Sequence, residues 1–332
     1  MAAGSVSGGN LAAFNGTVGL NLAVGQNIVD LAGIALPGSE PLTDQTYLLD
    51  NIAPGTVSFT RRTPANGSTN ADTLVFRATF DGDVQNVNAA DFAVTGTTAT
   101  VTGVSMVDAR TYDLTVSGGN LANLNATVGL DLGGTQDITD PAGNALPSTE
   151  PATDQAYLVD NAAPILSAFA RRTPATSLTN ADTLVFRAAF NEDVTAVNAA
   201  DFAVMGTTAT VTGVSAVDAR TYDVTVSGGD LASLNATVGL NLNGTQNITD
   251  PAGNALPASE PATDETYIED NDAPGLTSFT RQTPTNNPTN ADTLVFRAAF
   301  DEDVRNVNAG DFAVAGTTTA TITNVTPVTA GT

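Results

Sequence analysis

Carboxylates are almost the only side chains in this sequence that could do chemistry. The 332 residues include 35 acidic and 11 basic residues, for a net charge of -24, and there is no His, Cys or Trp. All the basic residues are Arg. Ser-His-Asp and Cys-His pairs, imidazole or thiolate metal sites, Schiff-base lysines and disulfides all need residues that the chain lacks. We therefore predict that the protein is not an enzyme and has no disulfide partner.

The negative charge also restricts the partners. A net charge of -24 repels nucleic acid and anionic membranes and favours divalent cations. No apolar run reaches the length of a transmembrane helix, and the first residues lack the basic and apolar regions of a signal peptide. We expect no nucleic-acid partner, no membrane insertion and no signal peptide in this sequence.

The acidic side chains concentrate, together with Asn, in short polar segments between apolar-rich stretches. Oxygen donors from several segments, without nitrogen or sulfur donors, suit Ca²⁺ better than a transition metal. Like charges also stand side by side at Asp81-Gly82-Asp83 and Asp301-Glu302-Asp303, which costs free energy unless a cation offsets it. The predicted Ca²⁺ ligands are Asp50, Asn51, Asp81, Asp83, Asp137, Asp140, Asp160, Asn161, Asn191, Asp193, Asp250, Asp270, Asn271, Asp301 and Asp303. Secondary candidates are Asp108, Asn144, Asp218, Asn254 and Asp272.

A second interpretation of the same residues needs no ion. Asp and Asn side chains hydrogen-bond to nearby backbone groups and so favour turns. On this interpretation, Asp140-Pro141-Ala142-Gly143-Asn144 is a turn and nothing more. Both interpretations remain open at the level of the sequence.

A repeat of 110 residues determines where the polar segments fall. The Thr-Pro pair at 63–64 recurs at 173–174 and 283–284, and the Asp-Thr-Leu-Val-Phe-Arg block at 72–77 recurs at 182–187 and 292–297. A unit of this length is too long for a solenoid repeat and matches a self-contained β-sandwich.

Within each unit the apolar residues alternate with polar ones, which is typical of half-buried strands. Leu74, Phe76 and Phe80 are examples, and Arg77 faces outward, where acids such as Asp131 could pair with it. The first complete unit predicts strands A to G at 57–61, 73–80, 91–95, 99–107, 111–116, 127–132 and 156–160, and a helical turn at 120–124. We therefore predict an all-β protein of tandem seven-stranded immunoglobulin-like sandwiches.

This topology brings the acidic segments together. Alternate strands of a sandwich run in opposite directions, so the incoming linker and the B–C, D–E and F–G connections lie at one pole. The carboxylates occur in these four connections. We therefore expect the Ca²⁺ ions to lie between successive domains.

The repeat also predicts the domain boundaries, near residues 52, 162 and 272. Residues 53–162 and 163–272 are complete repeats, residues 1–52 correspond to strands E to G, and residues 273–332 correspond to strands A to D. A fragment of a sandwich cannot bury its inner face alone. The two end segments are complementary, so strands of one copy could complete the next copy head to tail; the alternative is a piece of a longer chain.

Four sequence elements resemble a known family. They are the block Thr-Asn-Ala-Asp-Thr-Leu-Val-Phe-Arg, the Asp-rich turn at 301–304, the Ile-Thr-Asp-Pro-Ala-Gly-Asn-Ala-Leu loop and the Asp-Asn-x-Ala-Pro junction. Together they resemble the bacterial immunoglobulin-like, cadherin-like tandem repeats of large secreted and surface adhesins, over essentially the whole chain. The resemblance implies an extracellular, non-enzymatic spacer at the bacterial cell surface, stiffened by Ca²⁺ between its domains.

We therefore expect the stalk or spacer of an adhesin, acting in cell adhesion. The alternative is a self-assembling extracellular filament subunit, so the expected partners are copies of the chain itself or flanking repeats of a longer chain. A carbohydrate-binding module or glycosidase would need exposed aromatic platforms. The chain has no Trp and only five Tyr, at positions equivalent in the repeat, which favours packing roles.

Overall fold

The computed structural model of the chain describes residues 4–328, and it is an all-β structure, as the sequence predicts. The strands are β1 (Gly16–Val18), β2 (Tyr47–Leu49), β3 (Thr56–Thr63), β4 (Ser68–Thr69), β5 (Thr73–Phe80), β6 (Phe92–Thr95), β7 (Thr100–Asp108), β8 (Thr111–Ser117), β9 (Ala126–Leu132), β10 (Thr153–Asp154), β11 (Tyr157–Val159), β12 (Leu166–Thr173), β13 (Leu178–Thr179), β14 (Thr183–Phe190), β15 (Phe202–Met205), β16 (Thr210–Asp218), β17 (Thr221–Ser227), β18 (Ala236–Leu242), β19 (Thr263–Asp264), β20 (Tyr267–Glu269), β21 (Leu276–Thr283) and β22 (Val295–Phe300). Short 3₁₀ helices lie at Leu11–Ala13, Ala89–Asp91, Leu121–Asn123, Ala199–Asp201, Leu231–Ser233 and Ala309–Asp311.

The first complete repeat is a sandwich of two sheets. One has the strand order β10-β3-β5-β8-β7 and the other β4-β11-β9-β6. The seven strands predicted from the alternating pattern are present, and their ends agree within one or two residues. The structure adds β4 and β10, which pair in parallel with β11 and β3. Each has two residues, too few to show a period of two.

Aromatic pairs hold the two sheets of the first repeat together. Phe59 and Phe76, on β3 and β5, are fully buried. The Phe76 ring meets Tyr157 of β11 edge to face with 5.0 Å between centroids, and the Phe59 ring meets Phe92 of β6 at 6.1 Å. Such contacts contribute about 0.5–1.5 kcal/mol each beyond the area they bury.

The tyrosine at the start of β11 also satisfies buried backbone groups. The Tyr157 hydroxyl lies 2.9 Å from the carbonyl oxygens of both Pro64 and Val75, and it accepts a hydrogen bond from the Arg62 N–H at 3.1 Å. Burial is the main cause that raises the pKa of Tyr157. The second repeat forms the same contacts around Tyr267.

The outward arginine of strand B has a different partner from the one that the sequence suggested. Arg77 donates from Nε and Nη2 to the two carboxylate oxygens of Asp113, at 2.8 and 3.0 Å, and not to Asp131. The sheet order explains this difference. Arg77 lies directly opposite Asp113 in the β5–β8 register, whereas Asp131 lies on β9 in the other sheet.

The second repeat has the same strand orders, β16-β17-β14-β12-β19 and β13-β20-β18-β15. Its core contains the counterparts Phe169, Phe186 and Tyr267, all fully buried. By its contacts the chain divides into two compact units. The first holds residues 1–166, 190–197 and 247–259, and the second holds residues 167–189, 198–246 and 260–332. The predicted boundaries near 52, 162 and 272 follow the repeat and remain a prediction.

Among the described residues, each of the two end segments forms one pair of strands. β1 pairs with β2, and β21 pairs with β22. In the complete repeats, strand C pairs with F and strand D pairs with E. Residues 312–315 and 321–328, the counterparts of C and D, lack those partners within their own segment and do not form strands. The predicted ends at 1–3 and 329–332 lie outside the described residues.

Candidate functional site

The linker and two loops meet at one pole of the first repeat, as the topology predicts. The Asn144 side chain on the F–G loop donates from Nδ2 to the Asp50 carbonyl oxygen of the linker at 3.0 Å. The Gly55 N–H, at the other end of the linker, donates to Oδ1 of Asp81 on the B–C turn at 2.6 Å. Both acidic segments therefore hold the linker in place.

The D–E turn contributes a cation to this first junction. Arg110 donates from Nε to Oδ1 of Asp83 at 2.7 Å, and both side chains are about half exposed. The hydrogen bond to Asp83 is the main cause that raises the pKa of Arg110. Asp108 accepts the Arg110 backbone N–H at 2.8 Å, which lowers the pKa of Asp108. The charge of Asp83 is therefore already balanced within the protein.

The F–G loop is shaped by its own aspartate. Asp140 accepts the Asn144 N–H at 2.8 Å on Oδ1 and the Asn144 side chain at 2.7 Å on Oδ2. Burial alone would raise the pKa of Asp140, but these bonds and those from the N–H groups of Gly143 and Ala142 outweigh it and lower the pKa. Gly143 has a φ of +96°, which favours glycine at this turn. The turn that the second sequence interpretation described is therefore present.

The asparagine of each Asp-Asn junction anchors the end of strand G. Asn161 donates from Nδ2 to the carbonyl oxygens of Leu121 and Leu124, at 2.9 and 2.8 Å. Its backbone N–H donates to Oδ1 of Asn125 at 2.6 Å. Asn51 and Asn271 make the equivalent bonds. These three predicted ligands therefore have a structural role at the 3₁₀ turn between strands E and F.

Three carboxylates converge at the second junction. Asp160 of the linker, Glu192 of the B–C turn and Asp250 of the F–G loop each place an oxygen within 4.8 Å of the others. Asp250 is only 2% exposed, and the other two are half-buried. Two of the three are predicted ligands. Glu192 is the one that sequence reasoning left out, although the like-charged Asp-Glu-Asp turn at 301–303 is its counterpart in the next repeat.

Amide side chains fix the elements that carry the cluster. Asn254 donates from Nδ2 to Oδ2 of Asp250 and to the carbonyl oxygen of Asp160, both at 2.8 Å. On the B–C turn, Asn191 accepts the Ile165 N–H on Oδ1 at 2.7 Å. The linker, the turn and the loop are thus tied together by hydrogen bonds beside the carboxylates.

The chemistry of this oxygen set fits a hard divalent cation. Ca²⁺ is bound by six to eight oxygens, mainly carboxylates and carbonyls, in a flexible geometry. Three carboxylates this close repel one another when all are ionised, and a bound cation would reverse the sign of that interaction. Asp160, Glu192 and Asp250 would hold the ion. The first junction differs because Gly82 stands where the second has Glu192.

The third junction repeats part of the arrangement. The Gly275 N–H donates to Oδ1 of Asp301 at 2.6 Å. Burial raises the pKa of Glu302, and the nearby carboxylates of Asp270, Asp301 and Asp272 raise it further. Asp303 is exposed on the same turn. The carboxylates of Asp270, Asp272 and Asp301 therefore lie close enough to Glu302 to interact with it. The acidic sequence of the turn predicts such an interaction.

The remaining predicted ligands lie apart from the cluster or serve its loops. Asp137 accepts a hydrogen bond from Nδ2 of Asn88 at 3.4 Å, and Asp193 is exposed beside Glu192. Asp50 accepts the Ile52 N–H at 3.0 Å in a local turn. Metal binding by these residues stays a prediction.

No protein-family model matches the chain, and no curated protein matches it. Among solved structures, it is similar to FdeC, an Escherichia coli adhesin, with 13% identity, 76% of each chain covered and a TM-score of 0.37. An L,D-transpeptidase from Mycobacterium smegmatis shares 11% identity over 65% of this chain and 89% of the enzyme, with a TM-score of 0.20. A tandem pair of titin immunoglobulin domains shares 11% identity over 64% of this chain and 97% of the titin pair, with a TM-score of 0.17.

These likenesses carry no argument about function, because every TM-score is below 0.5. The fold class rests on the strands and sheets of the chain itself. In residues 4–328, no helix has the length and apolar character needed to cross a membrane.

Proposed function

We propose that the protein is a non-enzymatic structural protein of the bacterial cell surface, whose immunoglobulin-like repeats act as the stalk or spacer of an adhesin. The observation that carries the proposal is the carboxylate cluster of Asp160, Glu192 and Asp250. It joins a linker to two loops of the following repeat. A cation there would restrict the motion of one repeat against the next, which is what a spacer requires.

Contacts around the junction support this role. Within the first compact unit, the Asn70 N–H of the first repeat donates to the Ala252 carbonyl oxygen at 3.2 Å. The Asn70 side chain donates from Nδ2 to Oδ1 of Asn254 at 3.0 Å. The F–G loop that carries Asp250 therefore also contacts the preceding repeat. A cation bound to Asp250 would stiffen both connections.

The proposed ion is Ca²⁺, and the proposed location is extracellular. Calcium sites in extracellular modules typically have dissociation constants of about 10⁻⁴ to 10⁻³ M. A weak site of a few carboxylates is therefore sufficient for an extracellular spacer. Catalysis forms no part of the proposal.

Thermal unfolding in Ca²⁺ and in chelator tests the proposal. We expect a higher melting temperature in Ca²⁺, because an ion that binds only the folded state stabilises it by RT ln(1 + [L]/Kd). Glu192→Gln should remove most of the difference while keeping the size of the side chain. Asp72→Asn is the control, because Asp72 is an exposed carboxylate outside the junctions and is not a predicted ligand. Equal melting temperatures of the native chain in both conditions would contradict the proposal.

A second candidate function is a self-assembling extracellular filament subunit. The observation that favours it is the exposure of apolar side chains in both end segments, where the complete repeats bury their counterparts. Phe296 is 60% exposed, whereas its counterpart Phe76 is fully buried. Negative-stain microscopy with light scattering distinguishes the candidates. Long fibres favour the filament, and single short particles favour the spacer.

A further inference from the structure

The longest open strand edge of the first complete repeat belongs to β7. This strand pairs with β8 on one side, and no strand among residues 4–328 pairs with its other side. The other edge strands of the repeat are short, because β6 has four residues and β4 and β10 have two each. An edge strand presents a row of unpaired N–H and C=O groups, and a short edge limits pairing with another chain. With nine residues, β7 is therefore the edge best suited to bind a further strand.

β7 also has little of the protection that edge strands usually carry. Its sequence contains no Pro or Lys, and its one charged residue is Asp108 at the end. Met106 and Val107 are 65% and 50% exposed. Charged side chains and Pro are the residues that normally keep an edge from pairing. The edge is therefore both open and apolar.

The regular part of β7 lies at its centre. The pairing with β8 is shifted between Val101 and Gly103 and again between Met106 and Asp108. Such bulges twist an edge strand and limit pairing, so the stretch open to a partner is 103–106. Within this stretch, Val104 is half-buried and packs against the core. A further strand would therefore be centred near Val104.

The charges near this edge favour a second copy of the chain as the partner. The net charge of -24 makes most of the surface repel another copy. On β8, directly behind β7, Asp113 is held by two hydrogen bonds from Arg77, at 2.8 and 3.0 Å. At the end of β7, Arg110 donates its backbone N–H to Asp108 at 2.8 Å and its guanidinium to Asp83 at 2.7 Å. Arginines thus balance Asp113 and Asp83, so two copies can approach along this edge with little repulsion.

The position of Asp108 selects the direction of the pairing. In a parallel pair, the Asp108 carboxylates of the two copies would lie side by side, which is destabilising. An antiparallel pair centred on Val104 places Asp108 of each copy opposite Thr100 of the other, whose hydroxyl can donate to the carboxylate. Val104 then faces its own counterpart. Such a pair has two-fold symmetry, so it closes as a dimer.

We propose that β7 of one molecule pairs antiparallel with β7 of a second copy of this chain, centred on Val104, and joins the two sheets into one. The contact lies on a complete repeat and adds lateral association between molecules to the spacer role proposed above. β16 is the counterpart in the second repeat, and it has Ala216 where β7 has Met106. β7 is the more apolar of the two edges, and we therefore assign the contact to it.

Single-cysteine variants of the full chain test the register. The chain has no Cys, so a disulfide in such a variant can form only between copies. Directly opposite residues of an antiparallel pair have Cα atoms about 4.5–5.5 Å apart, within the range that a disulfide spans. Val104→Cys should therefore give disulfide-linked dimers under mild oxidation. Thr100→Cys is the control on the same strand, because its counterpart in the other copy would lie about 26 Å away along the strand.

A charge placed on the edge should weaken the contact. Met106→Glu adds a carboxylate to the uncharged part of β7, and we expect the dissociation constant of the dimer to rise about tenfold or more in sedimentation equilibrium. Leu158→Glu is the matched control, because Leu158 is 50% exposed on β11, which has a strand on either side. It adds the same charge and should leave the dissociation constant unchanged. Circular dichroism melting checks that every variant is folded.

Each result supports the inference or overturns it. Dimers that cross-link through Val104→Cys and are weakened by Met106→Glu establish the β7 contact. A native chain that stays monomeric at concentrations up to about 1 mM overturns it. Equal cross-linking of Thr100→Cys and Val104→Cys, or equal weakening by Met106→Glu and Leu158→Glu, also overturns it, because either result means association without this pairing. All samples are kept in chelator, so the outcome is independent of the proposed Ca²⁺ site.

Discussion

The first repeat and the segment that contains β21 and β22 have nearly the same sequence pattern and different structures. In both, strands A and B pair in the same register. The first repeat also has strands C and D, because E and F are present to pair with them. In the end segment, residues 312–315 and 321–328 form no strands, and Phe296 is exposed. Local pattern therefore defines where a strand can form, and the partner strand decides whether it does.

The largest expected change in stability comes from removing an aromatic ring at equivalent positions of the two regions, where Phe76 is buried and Phe296 is exposed. Phe76→Ala should lower the free energy of unfolding of the first repeat by about 3–5 kcal/mol, because it leaves a cavity between the sheets. The equivalent Phe296→Ala change should have almost no effect on monomeric protein. Urea unfolding, combined with hydrogen exchange measured peptide by peptide, gives the change in stability for both variants. A similar loss at the two positions would contradict the comparison.

The tyrosine hydroxyl provides a smaller and more specific test. Tyr157→Phe keeps the ring on Phe76 but leaves the Pro64 and Val75 carbonyls without the hydroxyl proton that they share. We expect a loss of about 1–3 kcal/mol, because buried polar groups lose a partner. Tyr47→Phe, at the exposed counterpart, should leave the stability of monomeric protein unchanged. Hydrogen exchange in β5 and β11 measures the loss, and an unchanged exchange rate after Tyr157→Phe argues against the bond.

A buried carboxylate sharpens the comparison between the two complete repeats. Glu269 of β20 is 1% exposed, and neither carboxylate oxygen has a hydrogen-bond partner among the described residues. The first repeat has Val159 at this position. Glu269→Val should therefore stabilise the second repeat at pH 7 by about 1–3 kcal/mol. The converse change, Val159→Glu, should destabilise the first repeat.

The same residue predicts a pH dependence with a definite sign. Burial raises the pKa of Glu269, and the charge of Asp182 raises it further. The folded state therefore binds the proton more tightly than the unfolded chain does. The contribution of Glu269 to stability is greatest below the unfolded pKa, falls as the pH rises toward the raised folded pKa, and is constant above it. Urea unfolding at a series of pH values should show this decrease in the free energy of unfolding of the native chain. A decrease of the same size in Glu269→Val would contradict its assignment to Glu269.

The smallest effect is expected at the surface pair of strands B and E. Asp113→Ala removes the bidentate partner of Arg77, whose side chain is 31% exposed, and should cost about 0–1 kcal/mol. The loss should shrink at high salt because exposed charges are screened. In the segment that contains β21 and β22, Arg297→Ala should leave the free energy of unfolding unchanged. Chemical denaturation at low and high salt provides the measurement, and a salt-independent loss would point to packing instead of charge.

Most of the fold was predictable, because strand and turn signals are local. The alternation of Leu74, Phe76 and Phe80 located strand B to the residue, and the 110-residue repeat transferred that assignment to the other copies. The acidic connections did meet at one pole. The two-residue strands β4 and β10 were missed, because their existence depends on the strands beside them.

The candidate site was only partly predictable. Asp160 and Asp250 were expected to converge, but Glu192 was omitted in favour of its neighbours Asn191 and Asp193. Alternation cannot be applied to a turn, so the sequence does not say which of three adjacent side chains points toward Asp160 and Asp250. Asp83 is engaged by Arg110, a contact that depends on how the D–E turn lies beside the B–C turn.

The sequence by itself determined the chemistry and the architecture of this protein. Its lack of His, Cys and Lys, its carboxylates and its repeat restrict the chain to all-β sandwiches with oxygen-donor junctions. The tertiary structure decided which groups meet: Arg77 with Asp113, and Asp160 with Glu192 and Asp250. The physical reason is range. A period of two is encoded by adjacent residues, whereas side-chain partners depend on sheet order and loop paths, which arise from contacts between residues far apart in the chain.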